Sequence, residues 1–183
     1  MSAPTILPEG ARVVLSAEQI QRRVHEMVRQ ISADYRGRAL CVICVLENGF
    51  MFMADLVRAL DAMVDCRFVK ALLRETVLGT TATTEIFFMP EMEVQGAHVL
   101  LVEGLVETGV TSEFLMRNLL ARGAASVRLA ALLDRQAARR VLLQPDYFGF
   151  LIDESFVFGY GLGDPEHGRN LPFVAGMAAP KHR

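Results

Sequence analysis

Apolar positions recur at two different spacings along this chain, and the changes of spacing mark out its elements. Ile20, Val24, Met27, Val28, Ile31 and Tyr35 return at steps of three and four, the period of one helical face. Ser16 followed by Gln19 supplies a capping-box pattern at the start of that helix. Ala39 to Leu46 is apolar without alternation, as expected of a parallel strand covered on both faces. A Glu47-Asn48-Gly49 turn then leads into a helix from Phe50 to about Leu60. Cys66 to Leu73 predicts a second strand, and the Thr-rich stretch Glu75 to Glu85, with Gly79 inside it, an excursion or flexible loop. Ile86 to Met89 predicts a returning strand that ends at Pro90. Next come a strand from His98 to Glu103, a loop from Gly104 to Val110, and a helix from Thr111 to Ala121 closed by Gly123. Ser126 to Leu133 is another apolar strand. Beyond Pro145, short strands are predicted around Phe148–Leu151, Phe156–Tyr160 and Phe173–Met177.

Strands that alternate with helices imply an α/β fold with a parallel sheet and right-handed crossovers. Ligands of such sheets sit at the carboxyl ends of the strands, where the acidic loops after Leu46 and Val102 fall. The 183 residues contain no internal repeat and no linker, so a single domain is expected. With 52% apolar and 22% charged residues, the composition is that of a globular protein and not a disordered one. A net charge of −2 provides no global basic field for nucleic acid or anionic lipid. No run approaches the roughly 20 apolar residues of a membrane span. Met1 to Arg12 is not followed by the apolar region of a signal peptide, which makes the cytoplasm the expected compartment.

The three cysteines are an odd number, consistent with a reducing compartment. Cys41 and Cys44 form a C-x-x-C, but it lies inside ALCVICVL. A spacing of three puts the two thiols on opposite faces of a strand, so the pattern predicts core residues and not a metal or redox pair. His25, His98, His167 and His182 have no ligand spacing, which argues against a zinc site.

The most informative stretch is HVLLVEGLVETGVTSEFLMRNLLARGAASVRLAALLDR. An apolar strand ends in acid, and a small-residue turn opens a helix with Thr108, Gly109, Thr111 and Ser112 at its start. Hydroxyls and N–H groups at a helix N-terminus can cradle a phosphate. Ordinary capping uses the same residues, so spacing alone leaves both readings open.

In this stretch the chain resembles the phosphoribosyltransferase signature, an apolar strand running into two acids and a D-T-G-x-T turn. LENGFMFMADLVRAL is similar to the family's L-K-G-G-F-x-F-x-A-D-L segment. ALLDRQAARR with PDYFGFLIDESFVFGYGLGDPEHGRNLP is similar to its purine-binding hood. The blocks keep the family's order from Arg12 to Met177 and point to the 6-oxopurine branch. The resemblance implies a type I phosphoribosyltransferase-like parallel sheet flanked by helices. It also implies a small hood built from the N-terminal segment and about residues 145–177 of one domain spanning 1–183.

The implied reaction joins a purine nitrogen to the ribose of magnesium-bound phosphoribosyl diphosphate as diphosphate leaves, giving IMP or GMP. The resemblance assigns Glu107 as the base near the purine, and Thr108, Gly109, Val110 and Thr111 to the 5′-phosphate. Glu103 would touch the ribose hydroxyls and, with Asp164, hold Mg2+. Phe156 would stack on the purine, the Val157 backbone would read its edge, and Arg135 would contact its O6. The diphosphate would lie on the loop Leu46, Glu47, Asn48 and Gly49 and on Arg169. Implied partners are a purine base or purine nucleoside monophosphate, phosphoribosyl diphosphate, and a second copy in a homodimer or homotetramer, with neither nucleic acid nor membrane.

Several positions depart from that pattern. Glu47 stands where the family has lysine, placing an anion beside a charged leaving group. Asn48 replaces a glycine, Gly104 the second acid, and Glu107 an aspartate. Arg135 replaces a lysine, and Gly163 replaces the metal-contacting aspartate, with Asp164 next to it. The catalytic-loop Ser-Tyr pair is missing from ALLRETVLG. The phosphate cradle and purine stack are thus kept, while the diphosphate and metal contacts are hit repeatedly. Three readings stay open: an impaired transferase, a purine-nucleotide-binding protein without catalysis, and a structural partner subunit presenting Phe50-Met51-Phe52-Met53. Whether the Leu46–Glu47 peptide is cis is also left open.

Overall fold

A computed structural model describes residues 7–70, 72–78, 81–87, 92–163 and 168–177, with the backbone alone for 72–78 and 81–87. In chain order the first elements are β1 (Ala11–Leu15), α1 (Ala17–Asp34), β2 (Leu40–Leu46), α2 (Phe50–Ala59) and β3 (Val64–Lys70). After them come β4 (Leu72–Leu78), β5 (Thr81–Phe87), β6 (His98–Val106), α3 (Val110–Ala121) and β7 (Ser126–Asp134). A short 3-10 turn at Gln136–Ala138 precedes β8 (Tyr147–Leu151), β9 (Phe156–Phe158) and β10 (Val174–Met177).

Five strands form one parallel sheet in the order β3-β2-β6-β7-β8. Side chains alternate across it. Val42, Cys44, Leu100, Val102 and Leu132 pack with Ile20, Met27 and Ile31 of α1 and Phe52 and Leu56 of α2. Cys41, Ile43, Leu101, Leu129 and Ala131 pack on the other face with Leu115 and Leu119 of α3. The two thiols of the C-x-x-C therefore enter different cores, as their spacing predicts. Burial pushes Cys44 up to about 12 and raises Cys41 as well, so neither is a thiolate. The capping box of α1 is also present: Gln19 N–H donates to Ser16 Oγ, and Ser16 N–H donates to Gln19 Oε1.

The structure differs from the sequence-based reading in five places. β1 was not anticipated. It is five residues with no alternating burial, and it exists because it pairs with β10 at the far end of the chain. With β9 these strands make a separate antiparallel sheet in the order β1-β10-β9. The expected loop at Glu75 to Glu85 is instead an antiparallel hairpin of β4 and β5, paired from Leu72↔Phe87 to Leu78↔Thr81. Its β-branched residues favour strands once a partner is in register. The predicted strand Cys66 to Leu73 stops at Lys70, and Leu72 and Leu73 begin the hairpin. Residues 88 and 89 of the predicted returning strand lie outside the described residues.

β6 also runs past the predicted loop boundary at Gly104. Leu105 pairs with Leu133 and Val106 with Asp134, so the connection to α3 shrinks to Glu107-Thr108-Gly109. Finally, the strand predicted to reach Tyr160 ends at Phe158, where Gly159, Tyr160 and Gly161 turn through positive φ.

Candidate active site

The short turn at the carboxyl end of β6 is the centre of the site. Gly109 caps α3 with φ 78°, a left-handed conformation that glycine adopts without strain. A Cβ there would also meet Arg139 Nη1 at 3.2 Å, so this guanidinium closes over the turn. Val110 N–H donates to Thr108 Oγ1 at 3.4 Å, and Arg140 N–H donates to the Thr108 carbonyl at 2.9 Å. The first-turn N–H groups of α3 and a nearby cation thus converge where an oxyanion can sit. Arg139 also pairs with the fully buried Asp134, and its Nη1 is buried with no hydrogen-bond partner.

Glu103 lies under this turn beside Ser112, and both are buried. Burial pushes its carboxyl up to about 7, opposed by a hydrogen bond with Ser112 and by the charge of Arg139. Its Oε1 is buried without a partner.

Glu107, one residue past β6, is half-exposed and ion-paired with Arg135 Nη1. Arg135 is 9% exposed, and its Nε and Nη2 are buried with no partner. Its own N–H donates to the Val106 carbonyl at 2.9 Å, which fixes it at the strand end. The structure therefore brings together the predicted base and the predicted purine-contacting cation. Phe156 and Val157 stand on β9, with the Phe156 ring stacked on Phe158 at 6.2 Å between centroids.

The loop after β2 holds the third group. The Leu46–Glu47 peptide is cis. Glu47 Oε1 lies 3.0 Å from Lys70 Nζ, and Oε2 lies 2.6 Å from Arg169 Nη1. These contacts, Arg169 foremost, hold the Glu47 carboxyl below the usual range. Arg169 is anchored from behind, because its Nε and Nη2 donate to the Gly163 carbonyl at 2.9 and 2.7 Å. Asn48 does not adopt a positive φ, and its carbonyl packs against Gly104. Gly49 starts α2 without a side-chain cap.

Lys70 is the site residue that sequence reasoning missed. Its signal was the register of the sheet, in which Lys70 is the partner of Leu46 across β2 and β3. Asp164 lies outside the described residues, and Gly163 presents its carbonyl to Arg169. Among the described residues no group of three or more acidic, His or Cys side chains could hold a metal. The orphaned oxygen of Glu103 fits an ion carried in by substrate phosphates, because magnesium so bound takes only one or two carboxylates.

A parallel sheet carries the α3 turn, the Glu107–Arg135 pair and the Glu47–Lys70–Arg169 cluster at its carboxyl edge, where ligands of open α/β sheets sit. Residues 13–166 match the family model described as the phosphoribosyl transferase domain. The chain is 33% identical over 164 residues to a hypoxanthine-guanine phosphoribosyltransferase of Aquifex aeolicus, covering 89% of this chain and 92% of that protein. It is also 33% identical over 172 residues to the bifunctional protein TilS/HprT of Listeria innocua, covering 93% of this chain. It spans only 26% of that longer relative.

Among solved structures, a hypoxanthine-guanine phosphoribosyltransferase from Bacillus anthracis aligns with a TM-score of 0.80 at 33% identity, over 90% of this chain and 95% of that one. A hypoxanthine phosphoribosyltransferase variant from Trypanosoma cruzi, in a ternary substrates complex, aligns with 0.84 at 31% identity, over 94% and 98%. The chain belongs to the phosphoribosyltransferase family, and within it to the hypoxanthine-guanine branch.

Proposed function

We propose that this chain transfers the phosphoribosyl group of phosphoribosyl diphosphate to hypoxanthine or guanine, giving IMP or GMP. The observation that carries the reading is the pairing of Glu107 with the buried Arg135 beside the α3 turn. The 5′-phosphate lies on the turn Thr108–Thr111, which sets the ribose above β6. Arg135 offers its two unpartnered nitrogens to the purine O6, Phe156 stacks on the ring, and the Val157 backbone reads its edge. As a purine nitrogen bonds to the anomeric carbon, the bond from that carbon to diphosphate breaks, and Glu107 takes up the proton released by the ring. Diphosphate departs toward Lys70 and Arg169. Magnesium, arriving on the substrate and touching Glu103, would supply further neutralisation of that leaving group; Asp164 is the second candidate ligand.

The transfer is slow in this reading, because Gly104 removes an expected acid at the ribose, Gly163 an expected metal-contacting acid, and Glu47 an expected cation beside the diphosphate. A second reading, a purine-nucleotide binder without catalysis, is favoured by the Glu47 carboxylate lying on both Lys70 and Arg169. A coupled assay of IMP formation from hypoxanthine and phosphoribosyl diphosphate separates the two. Turnover supports the transferase; no turnover together with micromolar GMP binding by calorimetry overturns it. The proposed setting is the cytoplasm. The antiparallel sheet serves as the hood of a single domain, and the assembly is a homodimer or homotetramer, checked by size exclusion against 20.3 kDa. No helix among the described residues is long and apolar enough to cross a membrane.

A further inference from the structure

Two cations from distant segments converge at the carboxyl edge of the sheet. Lys70 ends β3, and Arg169 comes from the turn after Gly168, yet both reach the same carboxylate. Arg169 is held in place by the Gly163 carbonyl whatever its Nη1 contacts, so its free edge is already aimed at this spot. Two such donors facing one point make a seat for an oxyanion. In this chain the seat is filled from within, because each Glu47 oxygen takes one of the cations.

We infer that Glu47 is a built-in competitor for the diphosphate seat, and that it biases the site toward ligands carrying only the phosphate bound at α3. The inference rests on the transferase-type ligand geometry proposed above. A diphosphate must displace the Glu47 carboxylate before it can reach Lys70 and Arg169. The displacement is a side-chain rotation, since the backbone behind it has no room to retreat. The Asn48 carbonyl already sits against Gly104, where even a Cβ would lie 2.2 Å away. The Glu47 side chain is 44% exposed and can turn to solvent without disturbing the core. Its low-lying carboxyl remains charged across the neutral range, so the competition does not relax near pH 7. The α3 turn uses none of these three side chains, so a monophosphate escapes the competition.

The test is calorimetric titration of the full chain and of Glu47→Gln with magnesium diphosphate and, separately, with GMP. Glu47→Gln is expected to bind diphosphate about tenfold more tightly, with GMP affinity unchanged within about twofold. Adding Lys70→Gln to Glu47→Gln should remove much of that gain, because one of the two released cations is then missing. Unchanged or weaker diphosphate binding by Glu47→Gln overturns the inference. An equal gain for GMP, or a full gain that survives Lys70→Gln, overturns it too. The IMP assay decides the transferase reading independently. A chain without turnover whose Glu47→Gln variant still tightens on diphosphate keeps this inference and loses that reading.

Discussion

The carbonyl oxygen of Asn48 lies where a side chain on Gly104 would begin, 2.2 Å from the position of its Cβ. Leu162 Cδ2 closes the same space at 2.9 Å. Gly104 and the loop at Asn48 are therefore coupled positions. The glycine on β6 is what lets the turn after β2 descend onto the strand end. Gly104→Ala is expected to cost about 1–3 kcal/mol, because the obstructing atom is backbone and not a flexible side-chain tip. Gly104→Asp should be at least as destabilising. Urea midpoints measure both effects, and a wild-type midpoint for Gly104→Ala would show that the loop retreats freely.

Glu107 and Arg135 should separate kinetically. Glu107→Gln keeps the shape and removes the proposed base, so kcat for IMP formation should fall by about 10²–10⁴. The KM for phosphoribosyl diphosphate should change little. Arg135→Met removes the donors proposed to contact the purine and should raise the KM for hypoxanthine more than it lowers kcat. Steady-state kinetics on both substrates check the pair. A full-rate Glu107→Gln enzyme would move the base elsewhere.

Asp34 sets an acid limb of stability. It accepts a hydrogen bond from the Tyr147 hydroxyl at 2.7 Å and pairs with Arg128, and these contacts lower its carboxyl from the usual value. A folded-state carboxyl below its unfolded value stabilises the fold above the unfolded pKa, and that contribution disappears as pH falls through the folded one. Asp34→Asn should therefore be less stable than wild type near neutrality, and the gap should close as pH falls through and below the ordinary carboxylate range. Denaturation midpoints across that range report it. A gap that stays constant with pH would mean the contacts are not titrating.

Ser16→Ala removes one half of the capping box and leaves a first-turn N–H of α1 without its acceptor. A loss of about 1 kcal/mol is expected, or a melting point lower by about 2–4 °C for a chain of this size. Scanning calorimetry is sufficient. An unchanged melting point would show that packing of Ile20 and Val24 alone places the helix start.

Elements whose signal is local were legible from the residues. The apolar face of α1, the unbroken apolar run of β2, the apolar stretch Leu129–Leu133 of β7 and the hydroxyl-rich start of α3 each show within their own short segment. The same holds for the fate of Cys41 and Cys44, because alternation along a strand needs no knowledge of its neighbours. The strand–helix junction that carries Thr108, Gly109 and Thr111 was legible too, although its start was placed at Gly104 while β6 runs on to Val106.

The tertiary structure decided whatever depends on which distant segments meet. β1 carries no pattern of its own and becomes a strand through β10, and β6 is prolonged by pairing with β7. The Thr-rich excursion becomes a hairpin because its two arms bond to each other in register. Glu47 could be read from the sequence as an anion in the wrong place. That it holds Lys70 and Arg169 could not, because these residues lie 23 and 122 positions away. Sheet register and the return of the tail place the two cations beside it, and such long-range placement is a property of the packed chain, with no local spacing to announce it.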